Sequence, residues 1–202
     1  MTKKFNGFTL IELLIVVAII AILAAIAIPN FLAAQVRAKV SRVKGESRSV
    51  ATALESYYVD NNRYPPMGDY AWDGTGNEPA FHARLSAFLT TPIAYITSLP
   101  VDYFLIVPAG GFVYPYYNRY VYYNFFQYKD TMGFNSATFL NRYRQSGEWL
   151  IYSVGPDRNT NQAAPMLGES GVYTNYDPTN GLVSFGNIIR TQVDPEKIDL
   201  TR

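Results

Sequence analysis

The chain has 202 residues, with 17 lysines and arginines against 16 acids, a single histidine and no cysteine. That near-neutral balance gives no electrostatic reason to bind nucleic acid, and the missing cysteines exclude disulfides, thiolate metal sites and thiol catalysis. His82 has no matching carboxylate or cysteine partner and is assigned no chemistry; no Ser-His-Asp grouping, metal triad or phosphate-binding glycine loop is visible, so the sequence does not read as an enzyme.

In chain order, residues 1–7 read MTKKFNG, with Lys3 and Lys4 the only charges. Phe8, Thr9, Leu10, Ile11 and Glu12 follow, then sixteen apolar residues at 13–28, then Pro29. The 21 residues from Phe8 to Ile28 make a helix of about 30 Å, enough to cross a bilayer core. The basic leader is expected to hold the N-terminus in the cytoplasm and send the bulk of the chain outward. Other readings compete. A cleavable secretory signal has the same basic start, and Ala25, Ile26 and Ala27 resemble its cleavage site, but Glu12 is an unhelpful residue at its entrance and the segment continues into more helix. A plain anchor leaves Glu12 unexplained, since an acid in the membrane costs about 2.5–3.5 kcal/mol. A buried soluble helix fails for want of other segments apolar enough to surround it.

The run Gly7-Phe8-Thr9-Leu10-Ile11-Glu12 ahead of a membrane-length apolar stretch resembles the processing and methylation signal of prepilins in the type IV pilin superfamily, which includes type II secretion pseudopilins. The resemblance implies cleavage by a prepilin peptidase between Gly7 and Phe8 and methylation of the new Phe8 amine. It also implies a homopolymeric filament raised by an inner-membrane assembly machinery. The residues fit those roles. Gly7 has no side chain to hinder a protease, and Glu12 lies one helical turn from Phe8, near the membrane edge. A carboxylate there needs a positive partner, and the free Phe8 amine of a neighbouring subunit supplies one. Ala18, Ala21 and Ala25 form a stripe on which helices can approach closely, or they simply fill an apolar helix.

Past Pro29 the helix is expected to continue with a kink. Leu32, Val36, Val40, Val43, Val50, Leu54 and Tyr57 recur at helical spacing, with Ser47 filling the gap, and should pack on a head. The opposite face carries Arg37, Lys39, Arg42, Lys44, Glu46 and Arg48; it suits lipid headgroups before assembly, acidic surfaces of neighbours afterwards, or plain solvent. Asp60, Asn61, Asn62, Pro65 and Pro66 should end the helix. Residues 67–79 read as an irregular loop and 80–89 as a short helix bearing His82. Strands are expected at 103–107, 119–128, 149–154 and 182–190, with a tight turn at Asn180-Gly181. The fold class is therefore α+β: a long N-terminal helix, membrane-spanning and then amphipathic, on a small antiparallel sheet. The expected segments are leader 1–7, transmembrane and polymerisation helix 8–29, amphipathic helix 30–62 and globular head 63–202.

Residues 55–66, the Leu99–Phe104 stretch (LPVDYF) and 149–157 (WLIYSVGPD) are similar to the major pseudopilin of type II secretion, the last to the strand leading into its calcium loop. Tyr103 stands where that family usually has proline, and asparagines replace most of its acidic cluster. In the loop itself Asp157, Asn159 and Asn161 place oxygens at alternate residues, a spacing that can wrap calcium, with Asp177 as a second carboxylate. An asparagine-rich turn held by side-chain-to-backbone hydrogen bonds explains the same residues. The 17 tyrosines, dense at 114–128, suit sheet packing and subunit contacts. The functional expectation is a filament subunit, the alternative a membrane-anchored extracytoplasmic binding module.

Overall fold

The computed structural model describes residues 8–67, 85–105, 118–127, 146–158, 176–179 and 186–193. Its elements are a 52-residue helix, α1 (Leu10–Asn61), a short 3₁₀ turn at Ala87–Leu89, and three strands, β1 (Val121–Asn124), β2 (Trp149–Ser153) and β3 (Ile188–Thr191). The strands form one antiparallel sheet in the order β1-β2-β3. This is a pilin-like α+β fold. The chain divides into two compact units, Met1–Ala38 and Lys39–Arg202.

Thr9 and Glu12 begin α1. The Thr9 hydroxyl accepts from the Glu12 backbone N–H at 3.3 Å, and Glu12 Oε2 reaches back to the Thr9 N–H at 2.9 Å and its hydroxyl at 2.6 Å. This reciprocal capping satisfies donors that a helix start otherwise leaves open. From Leu10 to Ile28 the side chains are overwhelmingly exposed, as suits a helix whose solvent is lipid and whose backbone bonds within itself, the Ala25 carbonyl opposite Pro29 excepted. Pro29 sits inside α1 without ending it. Burial starts at Val40 and continues through Val43, Ser47, Val50, Ala51, Ala53, Leu54 and Tyr57. The expected stripe thus holds from Val40 onward, while Leu32 is exposed and Val36 half-buried. Ser47 fits because its hydroxyl donates to the Val43 carbonyl at 2.8 Å, which removes the penalty of an unpaired polar group in the core. Val43, Val50 and Leu54 are fully enclosed, each a gain of about 1.5–3 kcal/mol. The helix stops at Asn61: Asn62 takes a left-handed conformation (φ 51°), one asparagine tolerates well, and Asn61 Nδ2 caps the Tyr57 carbonyl at 2.9 Å.

The sheet lies against the second half of α1. Tyr120, Tyr122, Trp149, Leu150, Ile151 and Tyr152 are almost wholly buried. Their polar tips are placed on partners: Tyr120 donates to Glu46 Oε2 at 2.7 Å, Tyr122 to the Pro65 carbonyl at 2.9 Å and the Trp149 indole to Glu55 Oε1 at 2.9 Å. Tyr64 donates to Glu55 Oε2 at 2.9 Å and accepts from Gln192 Nε2 at 2.7 Å, so one carboxylate ties the helix to β2 and to the segment after β3.

Three expectations need correction. The strand expected at 103–107 does not form over its described part. Tyr103 and Phe104 are in a turn, because Asp102 Oδ1 takes the Phe104 N–H at 3.0 Å and the Asp102 carbonyl takes that of Leu105 at 3.2 Å. Over its described part the strand expected at 119–128 shrinks to Val121–Asn124, since Asn124 Oδ1 accepts from the Gln127 N–H at 3.1 Å and 125–127 are helical. The helix expected at 80–89 is, in its described part, only the 3₁₀ turn Ala87–Leu89, started by Ser86, whose hydroxyl accepts from the Phe88 N–H at 3.3 Å. His82, Asn180-Gly181, residues 106–107 and 182–185, and most of the 67–79 loop lie outside the described residues.

Candidate functional site

The N-terminal end of α1 is the first candidate. Phe8 is 73% exposed, and Gly7 lies outside the described residues. Glu12 is fixed on its own chain by Thr9, through Oε2 alone. Oε1 carries no hydrogen bond among the described residues, so it is the oxygen open to a second donor. Sequence reading gave Glu12 a partner on another subunit and overlooked Thr9. The signal was present, since Thr-x-x-Glu before an apolar run is the pattern of a capping box.

The second candidate surrounds the end of β2. Asp102 is 2% exposed and gathers three donors: Phe104 N–H at 3.0 Å and Ser153 hydroxyl at 2.8 Å on Oδ1, and Val154 N–H at 3.1 Å on Oδ2. It thereby anchors the exit of β2 into the turn at residues 155–158. Gly155 has φ +77° there, and a Cβ would overlap the Gly186 carbonyl oxygen, so this is a position only glycine fills without strain. Asp157 Oδ2 accepts from the Gly186 N–H at 3.3 Å. Tyr176 N–H donates to the Asn187 carbonyl at 3.0 Å. The structure therefore ties Asp157 to Gly186, and the residue preceding Asp177 to Asn187, bringing the segments that carry the two expected carboxylates onto consecutive residues.

Asp177 Oδ1 accepts from the Thr179 N–H at 2.8 Å and its hydroxyl at 2.7 Å, which holds the Asp177 carboxyl below the usual carboxylate range. Asn159 and Asn161 lie outside the described residues, and among the described residues no group of three or more His, Cys, Asp or Glu could hold a metal. One residue that sequence reading missed stands out. Asn187 is 1% exposed, yet among the described residues neither its side-chain nitrogen nor its oxygen has a hydrogen-bond partner. Nothing in the sequence marks it, because its burial comes from the β3 edge meeting the Gly155 turn.

Residues 2–28 match the family described as the prokaryotic N-terminal methylation motif. The chain is 57% identical over 66 residues to the type IV major pilin protein PilA of Myxococcus xanthus, covering 31% of this chain and 30% of that one. It is 45% identical over 63 residues to the type II secretion system core protein G of Pseudomonas aeruginosa, covering 31% and 44%. Against the type II secretion system core protein G of Aeromonas hydrophila it is 30% identical over 100 residues, covering 50% and 68%. The chain spans less than half the length of the first two. No solved structure matches it.

Proposed function

Because the chain belongs to the type IV pilin family, we propose that it is a structural subunit and not an enzyme, processed between Gly7 and Phe8, methylated on the Phe8 amine, held in the inner membrane with its head outside, and then polymerised into a filament. The observation that carries this reading is the exposed apolar first half of α1, continuous with a second half built into a folded head. A helix whose solvent is lipid in the monomer becomes one whose solvent is other helices in a polymer, and only the apolar side chains need to exchange partners. Within such a polymer Glu12 Oε1 would accept from the Phe8 amine of a neighbour. That amine exists only after cleavage, so processing creates the partner. Enclosed together the two charges are tolerable; apart they are costly. Similarity extending along 100 residues to a type II secretion core protein G supports a secretion pseudopilus, while the higher identity over the shorter stretch is to a type IV major pilin.

Intact-mass measurement of the native protein tests processing: loss of residues 1–7 and gain of one methyl group is expected, and a start near Ala27 would reveal a secretory signal instead. Glu12→Ala tests assembly. It should insert and be cut normally yet give few or disordered filaments by electron microscopy; abundant ordered filaments would remove the charge pairing. A wild-type chain that is processed but never polymerises would leave an anchored binding module.

A second reading concerns calcium at the Gly155 turn, with Asp157, Asn159, Asn161 and Asp177 as its oxygen donors. It is favoured by the Asn187 amide beside Gly186, which is buried and has no hydrogen-bond partner among the described residues, since a buried polar side chain without a partner is rare in a folded protein. Asn187 would join the donors through its side-chain oxygen.

A further inference from the structure

We propose that the part of α1 just beyond its apolar run is a docking surface for anionic phospholipid headgroups, formed by Arg37, Lys39, Lys44 and Arg48. The proposal rests on the reading that residues 8–29 span a membrane, and its test separates the two.

Between residues 13 and 54 the chain has five basic residues and one acid, Glu46. Glu46 does not neutralise the set, because both its oxygens are committed: Oε1 to Arg42 Nε at 2.8 Å and Oε2 to the Tyr120 hydroxyl at 2.7 Å. Arg42 is further held with its guanidinium 4.1 Å from the centre of the Tyr103 ring. The other four cations are exposed, and the described residues offer them no ion pair.

Covalent continuity sets their distance from the bilayer. Arg37 comes nine residues after Ile28 and Lys39 eleven, about 13 and 16 Å of helix rise. The polar layer on each side of the hydrocarbon is about 5–7 Å thick, and screening acts over about 8–10 Å. Long basic side chains also reach back toward the interface. Arg37 and Lys39 therefore lie within the field of the headgroups. Lys44 and Arg48 continue the basic run further along α1. Arginine offers a fork that matches two phosphate oxygens, and lysine a point charge.

An acidic face on a second copy is the competing occupant, but its described acids already largely hold donors within their own chain, whereas the span brings lipid headgroups beside these cations by covalent connection alone. Glu12 is held by Thr9, Glu55 by Tyr64 and Trp149, Asp60 by Tyr95, Asp177 by Thr179, and Asp102 is buried.

The test uses the full chain in vesicles of phosphatidylcholine alone or mixed with phosphatidylglycerol. The protein has no cysteine, so Ser41→Cys, at an exposed position, takes a single fluorescent donor. Energy transfer to headgroup-labelled lipid then reports the local composition, and resistance to carbonate extraction reports insertion. Phosphatidylglycerol should be enriched beside the label by roughly fivefold for each basic residue in reach, and high salt should erase the enrichment. Replacing Arg37, Lys39, Lys44 and Arg48 together by glutamine should abolish it without affecting insertion. Equal transfer to both lipids by an inserted chain, or enrichment that survives the fourfold replacement, overturns the proposal. Charge-dependent transfer between labelled copies with no lipid preference overturns it in favour of a protein partner. Failure to insert in either vesicle sinks the membrane reading and this proposal with it.

Discussion

Removing the Asp102 carboxylate should destabilise the head far more than an ordinary substitution. Asp102→Ala takes away the acceptor for two backbone N–H groups, of Phe104 and Val154, and for the Ser153 hydroxyl. Phe104, Ser153 and Val154 are each at most 3% exposed, and each buried group left unpaired costs about 1–3 kcal/mol. Water entering the vacated space recovers part of this, leaving a net loss of about 4 kcal/mol. At about 2–4 °C per kcal/mol for a domain of this size, the melting temperature should fall by about 10 °C. Asp102→Asn should lose about half as much, because the amide keeps one acceptor oxygen but turns its NH₂ toward an N–H or hydroxyl that had donated. Thermal and guanidinium unfolding of the full chain in detergent, followed by tryptophan fluorescence, reads both variants. If Asp102→Ala unfolds within about 0.5 kcal/mol of the parent, as neutral surface changes do, the carboxylate does not hold the end of β2 and the reasoning fails.

Gly155→Ala combines a left-handed backbone with a side chain directed at the Gly186 carbonyl and should cost at least about 2 kcal/mol, measured in the same unfolding experiment; a neutral result would mean the turn relaxes freely. Alkaline unfolding should begin above pH 10. Burial pushes the Tyr120 and Tyr122 hydroxyls well above their ordinary value of 10.0, helped in Tyr120 by its bond to Glu46. The folded state thus holds their protons more tightly, so stability is whole below pH 10 and is lost as pH rises through the raised values, at about 1.4 kcal/mol per pH unit for each proton. Tyr120→Phe should flatten that fall by one proton's share. Calcium, if bound at the Gly155 turn, should raise the melting temperature as a ligand stabilises the state it binds, and a chelator should reverse the shift. Asp157→Ala and Asn187→Ala should each abolish it, and an unchanged melting temperature at millimolar calcium would leave a hydrogen-bonded turn.

What the sequence made legible was periodic or local. The valines from Val40 to Val50, with Leu54 and Tyr57, announced the buried face of α1 because their spacing is that of a helix, and Ser47 was correctly placed among them. The strand expected at 149–154 formed over Trp149–Ser153, where Trp149, Ile151 and Tyr152 favour a pleated, enclosed setting. The misreadings came where a polar side chain captured a backbone donor. Asp102 turned 103–104 away from a strand, and Asn124 ended β1 early; propensity scales weigh apolar content and do not see those bonds. At the N-terminus the six residues from Gly7 to Glu12 identified the family, but attention to a distant partner for Glu12 hid the local one, Thr9. Asn187 was beyond reach, since its enclosure depends on Gly155 and Gly186, distant in sequence, meeting without side chains.

The long unburied run of α1 has a mechanical consequence. Pro29 lacks the N–H that would bond the Ala25 carbonyl, and from Pro29 to Lys39 no residue is buried. In the proposed filament, tension between residues 8–28 and the head would pass through these eleven residues. There the backbone resists stretching with its own hydrogen bonds, one of them missing, and within the chain only Ala33 and Val36 are even half-buried. The first extension should therefore appear as local unwinding around Pro29, reversible on release, while the sheet and the Glu55 junction stay intact.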